Sequence, residues 1–194
     1  MEFVVVDVET ANQSPSSICQ IGIACFRNGF LTDTWGELVN PECPFFRFNT
    51  RIHGIGPQNI SAAPTWPELQ PRLRSILQDR VIASHTYFDH TAMNAANMRY
   101  GLPSISVTGW LDTCAIARQV WPHFANHKLG SLAHNFCLSY RAHDAIEDAR
   151  CAGQLLLLAA HNSAFDLSKM LDPARTGGNY ERRASRKALL GVGR

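Results

Sequence analysis

The chain has 194 residues, of which 45% are hydrophobic and 18% charged, and its formal net charge is +2. That length suits one domain with or without a tail, and the composition excludes a disordered chain, a collagen and a coiled coil. The longest apolar run, 155–160, is six residues, far short of the roughly 18–20 that a membrane-spanning helix needs. No membrane association is expected, and with no leader pattern ahead of the first strand the expected location is cytoplasmic. Charge is unevenly spread. Residues 1–160 carry 11 basic and 13 acidic side chains, whereas 161–194 carry 7 and 3, so a near-neutral body precedes a basic tail that hints at an anionic partner. The cysteines, Cys19, Cys25, Cys43, Cys114, Cys137 and Cys151, form no C-x-x-C pair. They read as reduced thiols, mostly in apolar surroundings.

In chain order, residues 2–9 read as a central strand, because Val4, Val5, Val6 and Val8 make a dense β-branched run. Residues 18–26 and 30–39 read as a hairpin about Asn28-Gly29. A turn-rich stretch follows, punctuated by Pro41, Pro44, Gly54, Gly56, Pro57 and Pro64. Thr65-Trp66-Pro67-Glu68 reads as a capping box opening a helix to about residue 78, which Pro71 should kink or shift. A short buried strand at 81–84, a helix at 88–100, a strand at 106–111, and helices at 113–120 and 128–137 come next. The last helix starts at Asp144, which forms an acidic capping pair with Glu147, and runs to about 160. From Asp172 onward no periodicity remains. The expected organisation is one folded domain over 1–165 and a basic, flexible tail over 166–194. Strands followed by alternating helices and strands predict an α/β domain with a mixed sheet, whose ligands bind beyond the carboxyl ends of its strands.

Candidate chemistry concentrates on that edge. Asp7 and Glu9 end the first strand on one face, with Cα atoms roughly 6.5–7 Å apart. A buried carboxylate pair requires a compensating cation, and oxygen-only ligands favour Mg²⁺ or Mn²⁺. The alternative for this pair is a solvated strand end. Asp89 follows the strand at 81–84 at a helix start; alone it reads as a cap. His143 precedes the last helix's N-cap, and Asp148 occupies the fourth helical position, where the helix dipole favours its charge. Alone, His143 reads as a surface histidine.

Taken in order, these residues resemble the DEDDh 3′–5′ exonucleases, the DnaQ-like superfamily of the proofreading epsilon subunit of DNA polymerase III. The first motif is Asp7-Val8-Glu9-Thr10. The second is Ser84-His85-Thr86-Tyr87-Phe88-Asp89, and the third is His143-Asp144-Ala145-Ile146-Glu147-Asp148-Ala149. Ile52-His53-Gly54-Ile55, Ala63-Pro64-Thr65, Asp112-Thr113 and Lys128-Leu129-Gly130-Ser131-Leu132 match as well. The resemblance spans about residues 2–160.

The resemblance implies a ribonuclease H-like fold, a mixed five-stranded sheet flanked by helices, and hydrolysis of the 3′-terminal phosphodiester with release of nucleoside 5′-monophosphates. It assigns two Mg²⁺ or Mn²⁺ ions to Asp7, Glu9, Asp89 and Asp148, and the general base to His143. It places Thr10, His53 and His85 against substrate. Thr86 stands where the family usually has Asn, and Ala11-Asn12 where it often has Thr-Gly; both departures are expected on the substrate-facing rim. The leading substrate is the 3′ end of single-stranded or frayed DNA, with a DNA polymerase as a candidate partner. An RNA-trimming exonuclease like ribonuclease T or oligoribonuclease is the alternative. A non-catalytic nucleic-acid or polymerase-binding module is the reading from another class.

Overall fold

The computed structural model describes residues 1–161 and 167–172. Strands β1 (Glu2–Thr10), β2 (Ile18–Arg27) and β3 (Phe30–Leu38) form an antiparallel meander. Asn28 and Gly29 turn β2 into β3 with φ of 54° and 84°, the positive pair that a tight hairpin turn demands. Strands β4 (Val81–Ser84) and β5 (Gly109–Asp112) add in parallel, giving the order β3-β2-β1-β4-β5. This is the mixed five-stranded α/β sheet expected. Its helices are α1 (Arg47–His53), α2 (Trp66–Leu77), α3 (Phe88–Arg99), α4 (Thr113–Val120), α5 (Leu129–Asn135) and α6 (Ala145–Ala160).

Side-chain alternation along β1 splits the core. Val4, Val6 and Val8 pack with Trp66, Leu69, Leu73 and Leu77 of α2 and Ala92, Met93 and Ala96 of α3. Phe3 and Val5 point the other way, into a cluster with Ile116 of α4 and Ala149, Ala152 and Leu156 of α6. The period of two then puts Asp7 and Glu9 on the α6 face, in line with Phe3 and Val5.

Glycines set how closely α6 approaches. Gly22 is the register partner of both Asp7 and Gly36. A Cβ on Gly22 would lie 2.1 Å from the carbonyl carbon of Ala145, and one on Gly36 would lie 2.4 Å from Cγ1 of Ile146. The first turn of α6 therefore rests on bare backbone. Farther along, Gly153 admits the Phe26 ring, 2.1 Å from where its Cβ would be.

Four local expectations need correction. Residues 47–53, read as part of a turn-rich stretch, form α1, a helix that buries none of its residues. Only Phe48 and Ile52, four residues apart, hint at a helix, and one such pair within a proline- and glycine-punctuated stretch is too short to announce it. Pro71 neither breaks nor shifts α2, since it withdraws a single backbone donor on the exposed side of the second turn. The strand expected at 106–111 pairs only at Gly109–Asp112; just before it, Asp79 N–H donates to Ser106 O and Thr108 N–H to Arg80 O. The helix expected at 128–137 is shorter, Leu129–Asn135, with Cys137 at φ 53° beyond its end.

Residues 167–172, assigned above to the tail, form a 3₁₀ turn at Leu167–Met170 and a bridge between Asp172 and Trp110. Leu171 covers Gly109. The rest of the expected tail, 173–194, lies outside the described residues.

Gly22→Ala places a methyl group into the Ala145 backbone. We expect a loss of about 1–3 kcal/mol in a urea unfolding titration, the scale of core overpacking. Stability equal to that of the parent would show that α6 is not seated as described.

Candidate functional site

Beyond Val5 the strands part. β1 and β4 pair in parallel only at Val4–Ile82 and Val5–Ala83. Farther along, the Val8 N–H donates to Oδ1 of Asp89 at 3.0 Å, so a carboxylate from the first turn of α3 takes the bond that a longer β4 would have made. On the other side of β1, pairing with β2 continues to Thr10, with a bulge after Glu9. The result is a crevice at the carboxyl end of β1, between an antiparallel and a parallel neighbour. Such switch points are where open α/β sheets bind ligands.

The start of α6 closes the crevice from above. Asp144 is its N-cap and accepts from the N–H groups of Ile146 and Glu147 at 3.2 and 3.4 Å. Glu147 turns aside to Arg150 at 2.5 Å, so Asp144 caps alone. Asp148 points inward, and its Oδ2 accepts from the His143 N–H at 2.9 Å. That bond holds His143 at φ 63°, a left-handed conformation that costs about 1–3 kcal/mol in a residue with a Cβ and clusters at functional sites. The imidazole stands at the mouth, 55% exposed, with Nδ1 3.8 Å from Oε1 of Glu9. Ligand atoms of Glu9, His143 and Asp148 all lie within 4.8 Å of one another.

All eight side chains singled out in the sequence line one cleft of about 680 Å³: Asp7, Glu9, Thr10, His53, His85, Asp89, His143 and Asp148. Thr86 lines it too, as expected. Ala11 and Asn12 do not, which corrects the rim assignment. Ala11 is fully buried against Cys19, Ile55 and Ile60, and the Asn12 amide donates to Pro44 O at 2.8 Å. Other lining residues carried no assigned role, among them Asn49 and Ile52 of α1, Phe88, Lys128 and Tyr140. For Ile52 and Lys128 the matching motifs were a signal; Asn49 had none.

The carboxylates raise one another's proton affinity. Burial pushes Asp7 well above the usual carboxylate range, and Asp89, Asp148 and Glu9 push it further. Glu9 rises to about 7, from burial and then the charges of Asp148 and Asp89. Asp89 also rises to about 7 by burial, against the pull of the Val8 N–H. Asp148 rises to about 6, burial outweighing the His143 N–H. Among the lining residues Lys128 is the sole lysine or arginine, so the protein itself supplies little countercharge. A concave, all-oxygen set of crowded carboxylates fits hard divalent cations such as Mg²⁺ or Mn²⁺.

His53 and His85 are engaged within the fold. His53 Nδ1 accepts from the Ile55 N–H at 3.0 Å, which leaves Nε2–H to donate to Thr10 O at 3.2 Å. His85 lies 3.1 Å from Thr113 Oγ1 through Nδ1 and 3.0 Å from His127 O through Nε2. Burial lowers the proton affinity of both rings. Thr10 O also accepts from Asn49 Nδ2 at 3.0 Å, so α1 is fastened to the end of β1 by two side chains.

Comparison with known proteins agrees with this geometry. The family RNase_T, described as Exonuclease, matches residues 4–156. The PolC-type DNA polymerase III of Streptococcus mutans is 32% identical over 160 residues, covering 80% of this chain and 11% of that polymerase. The PolC-type enzyme of Streptococcus sanguinis is 30% identical over a stretch of the same length. The chain thus spans only about a tenth of the curated relatives it matches. Among solved structures, Exonuclease X in complex with 5′ overhanging duplex DNA superposes with a TM-score of 0.67 and 20% identity, covering 90% of this chain and 99% of that one. E. coli Exonuclease I in complex with a dT13 oligonucleotide superposes with a TM-score of 0.70 and 16% identity, over 84% and 42% of the two chains. A 3′-exonuclease that recognises a histone mRNA stem-loop gives 0.71 and 13%, over 88% and 84%. The last three matches speak for the fold; with the family match over most of the chain, this protein belongs to the RNase_T exonuclease family and carries the DnaQ-like exonuclease domain that its motifs resemble.

Proposed function

We propose that this chain removes nucleotides one at a time from the 3′ ends of single-stranded or frayed DNA, releasing nucleoside 5′-monophosphates. The observation that carries this reading is the convergence of Asp7, Glu9, Asp89, Asp148 and His143 on one cleft at the carboxyl edge of the sheet. DNA is favoured over RNA because the curated relatives described above are DNA polymerases. The same similarity supports action beside a polymerase that frays or mispairs its primer end.

In this reading Asp7, Glu9, Asp89 and Asp148 hold two Mg²⁺ or Mn²⁺ ions. When bound, such a pair stabilises charge on the attacking and leaving oxygens of an in-line displacement. His143 takes the proton of the attacking water. Its exposed position at the mouth lets it pass that proton to solvent, and imidazole chemistry suits the task near neutral pH. The Asp148 bond to the His143 backbone orients the ring over the carboxylates. Thr10 and His53 receive the terminal nucleotide. Because both His53 nitrogens are engaged, its contact is through the ring face. Lys128, on the opposite wall, meets phosphate.

A nuclease assay on matched 3′-labelled single-stranded DNA, duplex DNA and RNA tests the reading. EDTA should abolish activity, Mg²⁺ or Mn²⁺ should restore it, and single-stranded DNA should be degraded fastest. Full activity in excess chelator would overturn the metal assignment, and faster RNA trimming would move the substrate to RNA.

Asp7→Ala should remove nearly all activity together with the metal-dependent rise in Tm. His143→Ala should keep that rise while slowing turnover about 10²–10⁴-fold, the usual scale of general acid–base catalysis. Parental turnover in His143→Ala would require another base.

The carboxylate shifts also fix a pH dependence of stability. Unfolded, these groups titrate near pH 4; folded and metal-free, Glu9 and Asp89 hold protons to about pH 7 and Asp148 to about pH 6. Between those limits the folded state binds more protons, so stability falls as pH rises. The Tm in EDTA should therefore drop from pH 5 to pH 8, and Mg²⁺ should restore it most at pH 8. A Tm in EDTA that rises over this interval would contradict the crowded, uncompensated carboxylates described above.

A further inference from the structure

A second depression, of about 480 Å³, adjoins the cleft and shares Gly130 and Ser131 with it. Its other walls include His123, Phe124, Asn126, His134 and Asn135. The main cleft is ringed by carboxylates; this one presents imidazoles, amides and an aromatic ring. Its floor is fixed. Phe124 packs on Trp121 and Phe136 with centroids 6.3 and 5.7 Å away, and the His123 ring meets it edge-on at 4.6 Å. The loop that carries these side chains is tied down as well. His127 Nε2 lies 3.0 Å from Trp121 O, and His127 O accepts from His85 at 3.0 Å. Asn126 Oδ1 accepts the Lys128 N–H at 3.1 Å.

We propose that this depression binds the single-stranded segment lying 5′ of the nucleotide being removed. The proposal rests on the exonuclease reading and extends it. The terminal nucleotide sits against Thr10 and His53, on the α1 side, and the scissile phosphate lies over the carboxylates. The remaining strand must then leave on the opposite wall, past Lys128 and across Gly130 and Ser131. Gly130 and Ser131 line both hollows, so the depression is continuous with the cleft at these two residues. Beyond it, rings for stacking and amides for hydrogen bonding match the requirements of unpaired bases without demanding one sequence. The depression carries no lysine or arginine, so its contribution depends on stacking more than on phosphate charge.

The test is the length dependence of binding by the full chain. Fluorescein-labelled oligothymidylates of two, four and six nucleotides are titrated in Ca²⁺, an oxygen-seeking ion that neutralises the carboxylates. For the parent, Kd should tighten at least about fivefold from two nucleotides to four, as expected for one added stacked base. The double variant His123→Ala/His134→Ala should lose that gain. So should Ala125→Leu, which fills the depression from an exposed position, keeps its residues and offers no ring for stacking. Binding of the two-nucleotide probe, too short to leave the cleft, should stay as in the parent, and an unchanged Tm confirms that each variant is folded. Length-independent Kd values in the parent, or a length gain that survives in both variants, would overturn the proposal. Hydrolysis in Mg²⁺ is scored separately. Failure to cleave any oligonucleotide rejects the exonuclease reading, whereas the Kd ladder alone decides the depression.

Discussion

The close seat of α6 on the sheet governs the rest of the molecule. A helix comes this near to a sheet only where side chains are absent, and Gly22 and Gly36 remove them from two adjacent strands where α6 begins. Gly22 is also the register partner of Asp7, so the contact that admits the helix sets the height of Asp148 over β1. One helical turn is 5.4 Å. A helix starting a turn earlier would bury the carboxylates of β1, and one starting a turn later would carry Asp148 away from them. The Cβ-free patch and the acidic strand end are two sides of one arrangement.

The same arrangement sets stability against function along a single strand face. Phe3 and Val5 gain from burial under α6, while Asp7 and Glu9, next on that face, are pressed toward each other and toward Asp148. Apolar burial on both sides of β1 sustains this cost. His53 and His85 do not relieve it, because burial disfavours their charged form and hydrogen bonds engage their nitrogens inside the fold. The crowded carboxylates are left to divalent cations of the kind proposed above, whose binding to the native state alone would stabilise the fold as well as the site.

What was legible in the sequence was local. Val4 to Val8 announced β1, Asn28-Gly29 its hairpin partner strands, and Asp144 the start of α6, because each depends on residues within a turn or two. The two-residue spacing of Asp7 and Glu9 placed them on one face by strand geometry alone. Asp89 reads as a helix cap by itself, yet its carboxylate meets Val8, 81 residues away; its place after the strand at 81–84 and the ordered motif set together point it to the cleft. α1 was missed since tertiary bonds from Asn49 and His53 to Thr10, more than any helical periodicity, hold it in place. Ala11 and Asn12 were misplaced because residues distant in sequence hold them: Ala11 packs against Ile55 and Ile60, and the Asn12 amide donates to Pro44 O.

His85 shows how a motif residue can act at one remove. Its position between β4 and α3 puts it on the cleft wall, but its nitrogens face Thr113 and the carbonyl of His127. Through His127, whose own ring lies against Trp121 O, it braces the loop that leads to Lys128 and α5. The Cys114 thiol donates to the same carbonyl at 3.4 Å, so α4 shares in that brace. That wall of the cleft is therefore held by the end of β4 and by α4 together. A substitution that loosened His85 would leave the carboxylates on β1 and α6 in place and shift Lys128 and Gly130 instead. Its effect would fall on how the strand is held, more than on the chemistry at the phosphate.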